Sequence, residues 1–386
     1  MSRILNHVLS QISHPLLPNP SAPGQISFAE SQQILYLTGL LPVRNFYLFG
    51  SPSAHSLSPV LHRASFQALS LPHTFTPVSI QSINTLVLKE IIAQPDFGGA
   101  AVTIPLQTDA LSLCRRVSHH ARLIGAINTL VPIQGGVLVG ENTDWRAIQT
   151  CVARCVTPAN AITAHTTALV IGAGGAARTA LYALHQLGVA NIWLFNRSRE
   201  RAEALAEEMM ARLDAFLKIR VLSDIDAGCV QRSVEPLPMP SIIISTIPTS
   251  RSPTAMNENE EYHGVGVIPD VGLRREVLEL NTAGGVAVEL AYQPRITPLL
   301  KIVDDVNSAR GTGLAAKVEV GDSNQLSPSP QQLRPFGPWV AVEGVEILLE
   351  QGYEQCRLWT ARRAPHIKVR EAVITEFERH VQQGLA

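Results

Sequence analysis

Charge is scarce in this sequence and neither sign prevails. Asp, Glu, Lys and Arg make up 16% of the 386 residues, and the formal net charge is −1. No long-range field therefore gathers nucleic acid or presses the chain onto an anionic membrane. A helix-turn-helix, a zinc pattern and a basic stripe are also lacking, so no direct nucleic-acid partner is expected. No apolar run approaches the ~20 residues of a membrane helix. Met1 to Leu17 lack the charged start and clean apolar stretch of a secretory leader, which leaves a cytoplasmic chain as the expectation. The five cysteines, Cys114, Cys151, Cys155, Cys229 and Cys356, are odd in number and dispersed, which suits a reducing compartment better than a disulfide framework. Cys151 and Cys155 stand i,i+4 on an expected helix. Without further ligands nearby they read as buried thiols, and no metal site is expected. No repeat of solenoid period is present.

Apolar residues, by contrast, reach 46%, enough for the cores of about two domains. From Asn45 strand-like runs alternate with helical stretches: NFYLFG, a helix near Val60–Leu69, HTFTPV, a helix near Ile83–Ile92, then GAAVTI. This rhythm predicts a mostly parallel sheet. A second series begins at TALVIGAGG and continues through a helix to Leu187, the strand NIWLF, a helix over Arg199–Leu217, and the strands SIIIST, GVGVIPD and GGVAVEL. That is the plan of a doubly wound nucleotide domain. Asp304 to Pro338 are rich in Ser, Pro, Gln and Gly and read as an exposed loop. Ala341 to Cys356 form an amphipathic helix pattern. The expected class is α/β, with two domains. Residues 41–145 and 338–386 form a substrate-binding α/β domain, 146–303 a Rossmann domain and 304–337 a loop insertion. Residues 1–40 are a lead-in carrying a helical stretch, Phe28 to Gly39.

The apolar strand Leu169-Val170-Ile171 runs directly into Gly172, Ala173, Gly174, Gly175 and Ala176, and a helical pattern follows. Glycines there permit a tight turn and let backbone N–H groups approach a pyrophosphate at a helix N-terminus. The context, strand before and helix after, is what makes the motif informative. The second strand ends at Phe195 and is followed by Asn196, Arg197 and Ser198. An NAD site wants an acidic residue there for the ribose 2′-hydroxyl; Arg197 suits the 2′-phosphate of NADP instead. The competing reading is a surface loop with an ordinary arginine.

Four short segments place polar groups in apolar surroundings. His55-Ser56-Leu57-Ser58-Pro59 puts two hydroxyls two residues apart, on one side of an extended loop. Val102-Thr103-Ile104-Pro105, Gly125-Ala126-Ile127-Asn128-Thr129 and Glu141-Asn142-Thr143-Asp144 add hydroxyls, amides and carboxylates that suit a polyol. Taken singly, such residues also cap helices and close turns. Together with GAGGAAR, NRS, AYQPRITPLL at Ala291–Leu300 and EILLEQGYEQ at Glu346–Gln355, they resemble the shikimate/quinate dehydrogenase family from about Asn45 onward. The resemblance implies that Ser56, Ser58, Thr103, Asn128, Asp144 and Gln351 touch the carboxylate and ring hydroxyls of quinate, shikimate or dehydroshikimate. It further implies that Tyr292 lines the cleft between domains and that Gly344 lies near the nicotinamide of NADP. Gln351 and Gln355, i,i+4, share one helix face.

One departure matters most. The family run VTxPxK ends in a lysine that pairs with the aspartate of NTD and handles the alcohol proton; this chain has Gln107 there. A carboxamide hydrogen-bonds a hydroxyl but does not titrate near neutrality, and loss of an acid/base group typically costs ~10²–10⁴ in rate. Gln107 and Asp144 are expected to face each other across the pocket, ringed by Ser56, Ser58 and Asn128. Ala101, Ala147, Ser245-Thr246-Ile247-Pro248 and Ile347 also depart from the family pattern. The lead-in, His14 to Ser27, resembles the closing loop of type I dehydroquinase, which precedes the dehydrogenase in fungal multidomain polypeptides of the pathway and in the fungal quinate repressor. Residues 1–40 read as a remnant of that enzyme. The resemblance implies a catalytically impaired, quinate- or shikimate-sensing repressor of quinate-pathway genes. Such a protein would contact a transcriptional activator and enter the nucleus. The alternative is an active NADP-dependent shikimate or quinate dehydrogenase relying on Asp144.

Overall fold

The computed structural model describes residues 35–51, 56–213, 216–225, 238–248, 272–311 and 337–383. Two six-stranded sheets organise the chain. The first contains β1 (Asn45–Gly50), β2 (Thr74–Ser79), β3 (Phe97–Val102), β4 (Arg116–Val117), β5 (Thr129–Ile133) and β6 (Val137–Glu141), in the order β2-β1-β3-β5-β6-β4. Its flank carries α1 (Ser58–Ala68), α2 (Leu86–Ile92) and α3 (His119–Ile124). The second contains β7 (Thr167–Ile171), β8 (Asn191–Phe195), β9 (Lys218–Leu222), β10 (Ile242–Ser245), β11 (Gly285–Glu289) and β12 (Trp339–Val342), ordered β12-β11-β10-β7-β8-β9. Every pairing in this second sheet is parallel, the doubly wound arrangement expected for the nucleotide half. Its central strands β7, β10 and β11 are buried at every position, and they are mostly apolar, as strands covered on both faces are.

Six further helices complete the described core: α4 (Asp144–Cys155), α5 (Gly175–Gln186), α6 (Arg199–Arg212), α8 (Pro298–Ala309), α9 (Gly344–Thr360) and α10 (His366–Gln382), besides the short α7 (Arg275–Glu279). The chain leaves the second sheet through β12 and returns along α9 to the first. There Val345, Leu348, Leu349 and Cys356 pack with Leu57 and Leu61 of the α1 region and with Val369, Val373 and Phe377 of α10. α4 is shared in the same way, since Trp145, Ile148 and Val152 join the core formed by β7, α5 and α6. The halves also meet through polar contacts. His120 Nδ1 pairs with the Tyr182 hydroxyl at 2.6 Å, and an Arg212 guanidinium nitrogen donates to the Arg122 carbonyl at 3.1 Å.

Several expectations need correction. The first sheet is mixed, because β5 runs antiparallel to β3 and β6. Gly135 and Gly136, both at positive φ, close the β5–β6 hairpin. The helix read over Arg199–Leu217 ends at Arg212, and Lys218–Leu222 is a strand. Ala341 and Val342 belong to β12, so the helix read over Ala341–Cys356 starts at Gly344. The boundary drawn at 338 assigns β12 to the substrate side, yet β12 pairs with β11 in the nucleotide sheet. Asp304 to Ala309, drawn within the loop insertion, form the second half of α8. The run GVGVIPD, residues 312–336 of the insertion, His55 and residues 1–34 of the lead-in lie outside the described residues. No helix among the described residues is long and apolar enough to cross a membrane, and no group of three His, Cys, Asp or Glu there could hold a metal ion. Burial pushes the Cys151 thiol up to about 12.

Candidate functional site

The polar segments converge because both sheets present the same kind of edge. β1 and β3 end at Gly50 and Val102, and antiparallel β5 begins there at Thr129; β7, β10 and β11 end at Ile171, Ser245 and Glu289. Carboxyl ends of parallel strands are where open α/β sheets leave room for ligands.

On the nucleotide side, Gly172 has φ +118°, and a methyl group on it would stand 2.2 Å from Thr246 Oγ1. Only glycine fits this position. Thr246 is held against the turn by its own hydroxyl, which donates to the Ile171 carbonyl at 2.8 Å. Gly174, by contrast, faces open space and precedes α5, a twelve-residue helix whose first N–H groups need partners. Ala173 and Ala176 are half-buried beside it. The turn thus has the shape and polarity that a pyrophosphate requires. At the end of β8, Asn196 donates to the Ser198 carbonyl at 2.8 Å and the Ser198 hydroxyl caps α6 through Arg201 N. Arg197 lies between them and is exposed. Gly344, the first residue of α9, is pressed onto the Ala291 carbonyl, where a methyl group would lie at 2.4 Å.

On the other side, Asn128 is the hub. Its Oδ1 accepts from Thr143 N at 2.8 Å and from the Thr129 hydroxyl at 2.7 Å. Its Nδ2 donates to Thr143 Oγ1 at 2.9 Å and to Gln351 Oε1 at 3.4 Å. Asp144, the first residue of α4, is half-buried; burial pushes its carboxyl up to about 6, while a hydrogen bond from Asn128 opposes the rise. Asn142 Oδ1 accepts from Asp144 N at 3.1 Å and so fixes the start of α4, while its Nδ2 reaches Ala126 O at 3.2 Å and Thr179 of α5 at 3.4 Å. Gln351 and Gln355 do share a helix face, and both enter this buried network: Gln351 donates to Leu348 O, Gln355 to Asn128 O and Thr129.

Ser56 and Ser58 are not in an extended loop. Leu57 is already helical, Ser58 opens α1, and the Ser56 hydroxyl accepts from Ser58 N at 3.2 Å. Tyr292 bonds the Ser56 hydroxyl and the Leu57 backbone, and burial raises its phenol. Thr103 is half-buried against Gly50. Gln107 occupies the turn after β3, but it does not pair with Asp144. Its Nε2 donates to the Val102 carbonyl at 3.4 Å, and a methyl group on Gly175 would stand 3.4 Å from its Oε1. The carboxamide therefore lies between the first sheet and the nucleotide turn.

Sequence reasoning passed over two buried groups. Glu289 is fully enclosed at the end of β11, where burial pushes its carboxyl up to about 7 against hydrogen bonds from the Ala291 and Leu290 backbones, Thr297 and Ser245. Its position between an apolar strand and the AYQP run was the available signal. His62, also enclosed, contacts Gln355.

Sequence comparisons agree with this layout. Residues 48–130 match the model of the shikimate dehydrogenase substrate-binding domain, residues 158–227 that of shikimate/quinate 5-dehydrogenase, and residues 1–42 that of type I 3-dehydroquinase. The pentafunctional AROM polypeptide of Mycosarcoma maydis is 39% identical over 96% of the chain, and that of Kluyveromyces lactis 30% over 97%. The chain spans about 20% of the length of each. Among solved structures, the dehydroquinate dehydratase and shikimate dehydrogenase from S. pombe AroM is 29% identical, with TM-score 0.63, covering 97% of this chain and 65% of that one. The shikimate 5-dehydrogenase from Thermus thermophilus, solved with NADP(H) and shikimate, is 26% identical, with TM-score 0.59, covering 86% and 99%. The chain belongs to the shikimate/quinate dehydrogenase family and is homologous to the shikimate dehydrogenase region of the fungal pentafunctional AROM polypeptides.

Proposed function

We propose that this chain binds a ring acid of the shikimate/quinate class together with NADP, and that it turns the acid over poorly or not at all. The observation that carries the reading is Gln107. It stands where the family has its proton-handling lysine, and its carboxamide is directed to Val102 O and Gly175 rather than to Asp144.

NADP, when bound, supplies the hydride acceptor. The turn Gly172 to Ala176 would receive its pyrophosphate on the N–H groups of α5, Asn196, Arg197 and Ser198 its adenosine 2′-phosphate, and Gly344 its nicotinamide side. Ser56, Ser58, Thr103, Asn128, Tyr292 and Gln351 would hold the carboxylate and hydroxyls of the acid. As hydride leaves the ring carbon, the proton of its hydroxyl must go to a base. Of the residues assigned to the acid, Asp144 alone titrates near neutrality, and at pH 7 a carboxyl with a midpoint of about 6 is mostly ionised and able to accept. Gln107 can orient the hydroxyl but cannot take its proton.

A family member that keeps the ring-acid set and lacks the lysine suits a sensor. The regulatory reading is a quinate- or shikimate-responsive repressor of quinate-pathway transcription, acting through contact with a transcriptional activator; its support is the resemblance to the fungal quinate repressor. The second reading, an active NADP-dependent shikimate or quinate dehydrogenase, is favoured by the near-neutral Asp144 and by 39% identity to a pentafunctional polypeptide. NADP reduction with shikimate and with quinate, run beside thermal shift with the same ligands, separates the two. Ligand-induced stabilisation without turnover supports the sensor. Robust wild-type turnover sinks it.

A further inference from the structure

The first sheet has a second edge, away from the ring-acid residues. There, where β1 and β3 begin and the β5–β6 hairpin turns, lies a cleft of about 790 Å³, a size common among small-molecule pockets. Two glycines at the start of β3 shape its walls. A methyl group on Gly98 would stand 2.6 Å from Phe46 Cζ, so the bare backbone lets that ring lie against it. Gly99, at φ +138°, does the same for Trp359, whose Nε1 would lie 2.6 Å from an added methyl group. The indole N–H, reaching in from α9, donates to the Leu130 carbonyl of β5 at 3.0 Å. The Phe46 and Trp359 rings stand 5.0 Å apart, and Phe97 adds a third aromatic side chain to the lining. α9 carries Gln351, Gln355 and Trp359 at intervals of four, so the indole stands about 12 Å along the helix from Gln351 and the Asn128 network.

Charge in the cleft has one sign. Arg44 and Lys89 line it, and no Asp or Glu does among the described residues. Arg44 is half-buried, and its Nη1 donates to the Pro95 carbonyl at 2.6 Å, which steadies the guanidinium at the rim. Asp96, next in sequence, is engaged by Asn45 Nδ2 at 2.7 Å and does not line the cleft. Lys89, from α2, is exposed. Aromatic walls beside two cations with no anion suit a flat apolar body that ends in a carboxylate. We propose that this cleft is a second small-molecule site, separate from the ring-acid site, and that it takes an aromatic monocarboxylate with its ring against Phe46, Phe97 and Trp359 and its carboxylate at Arg44 and Lys89.

The test uses the full chain with ¹⁵N-labelled tryptophan. Its four tryptophans give four indole N–H signals, and that of Trp359 is identified by its loss in Trp359→Phe. The probe is 3-phenylpropionate, and 3-phenylpropanol is the control with the same body and no charge. The expected result is that the acid moves the Trp359 signal and saturates at millimolar concentration. The alcohol should bind at least about tenfold more weakly, and saturating shikimate should not displace the acid. Arg44→Gln and Lys89→Gln should each weaken the acid severalfold and leave the alcohol unchanged; the exposed Lys89 decides the question should Arg44→Gln fail to fold. An unmoved Trp359 signal, an equal response to acid and alcohol, or displacement by shikimate would each overturn the proposal. So would a signal that moves on diluting the protein and not on adding the acid, since a second copy of the chain would then fill the cleft.

Discussion

Replacing Asp144 by asparagine should make this protein more stable at pH 8 and leave its stability unchanged at pH 4. Burial disfavours the charged carboxylate, raising its midpoint from 3.8 to about 6 in the folded chain. A folded-state midpoint above the unfolded one means that the native state binds the proton more tightly. The stability this provides is fully present below pH 4 and is lost as pH rises through 6. Two pH units correspond to about 3 kcal/mol at ~1.36 kcal/mol each, an upper figure because the carboxyl keeps partial contact with water. For a chain of this size that is a rise in Tm of roughly 4 °C. Asparagine is nearly isosteric, carries no charge to desolvate, and can still accept from Asn128 through its oxygen. Thermal melts of wild type and Asp144→Asn, without ligand, at half-unit steps from pH 4 to pH 8, measure the difference directly. A variant that is less stable than wild type at pH 8, or a difference that does not change with pH, would refute the reasoning.

Two further perturbations address the nucleotide side. Arg197→Ala should weaken NADP by ~10–100-fold, the range for one lost charge-assisted pair, and leave NAD unchanged, as read by titration of nucleotide binding; equal loss for both would remove Arg197 from the 2′-phosphate. Gly172→Ala should destabilise the chain by about 1–3 kcal/mol in urea melts, because the residue holds a φ of +118° against Thr246 Oγ1; an unchanged melt would show that the turn relaxes easily.

Much of the frame is legible in the chain because local pattern and tertiary role coincide there. The run Ala168–Ile171 is apolar because β7 is buried on both faces, and Gly172 after it answers to a steric demand that no other residue meets. The Gln134-Gly135-Gly136 turn was equally legible, flanked by VPI and VLV, but the parallel rhythm before it drew the reading away from a hairpin. β12 is harder. Four residues abut a helix of similar apolar content, and only pairing with β11, some fifty residues earlier, makes them a strand. The overrun past Arg212 has a similar cause, since apolar Leu213 and Leu217 extend the helical pattern into the approach to β9.

At the site, short motifs located Asn128, Asp144 and Gln351, which the fold brings together, and Ser56 with Tyr292, which it joins by a hydrogen bond. What the motifs did not carry is direction. The orientation of the Asn128 carboxamide depends on the Thr143 backbone N–H at the start of α4, fifteen residues away in sequence, and the upward movement of Asp144 depends on packing around it. Gln107 is expected opposite Asp144 by analogy with a lysine, while its Nε2 donates to the Val102 carbonyl and its Oε1 lies beside Gly175.

The central claim concerns one proton. Turnover of shikimate and of quinate with NADP should be measured for wild type and Gln107→Lys, with ligand affinity measured on the same samples. Restoring a titratable amine at an otherwise retained site should raise kcat by ~10²–10⁴ with little change in affinity. Wild-type turnover already at the level of Gln107→Lys would contradict the account.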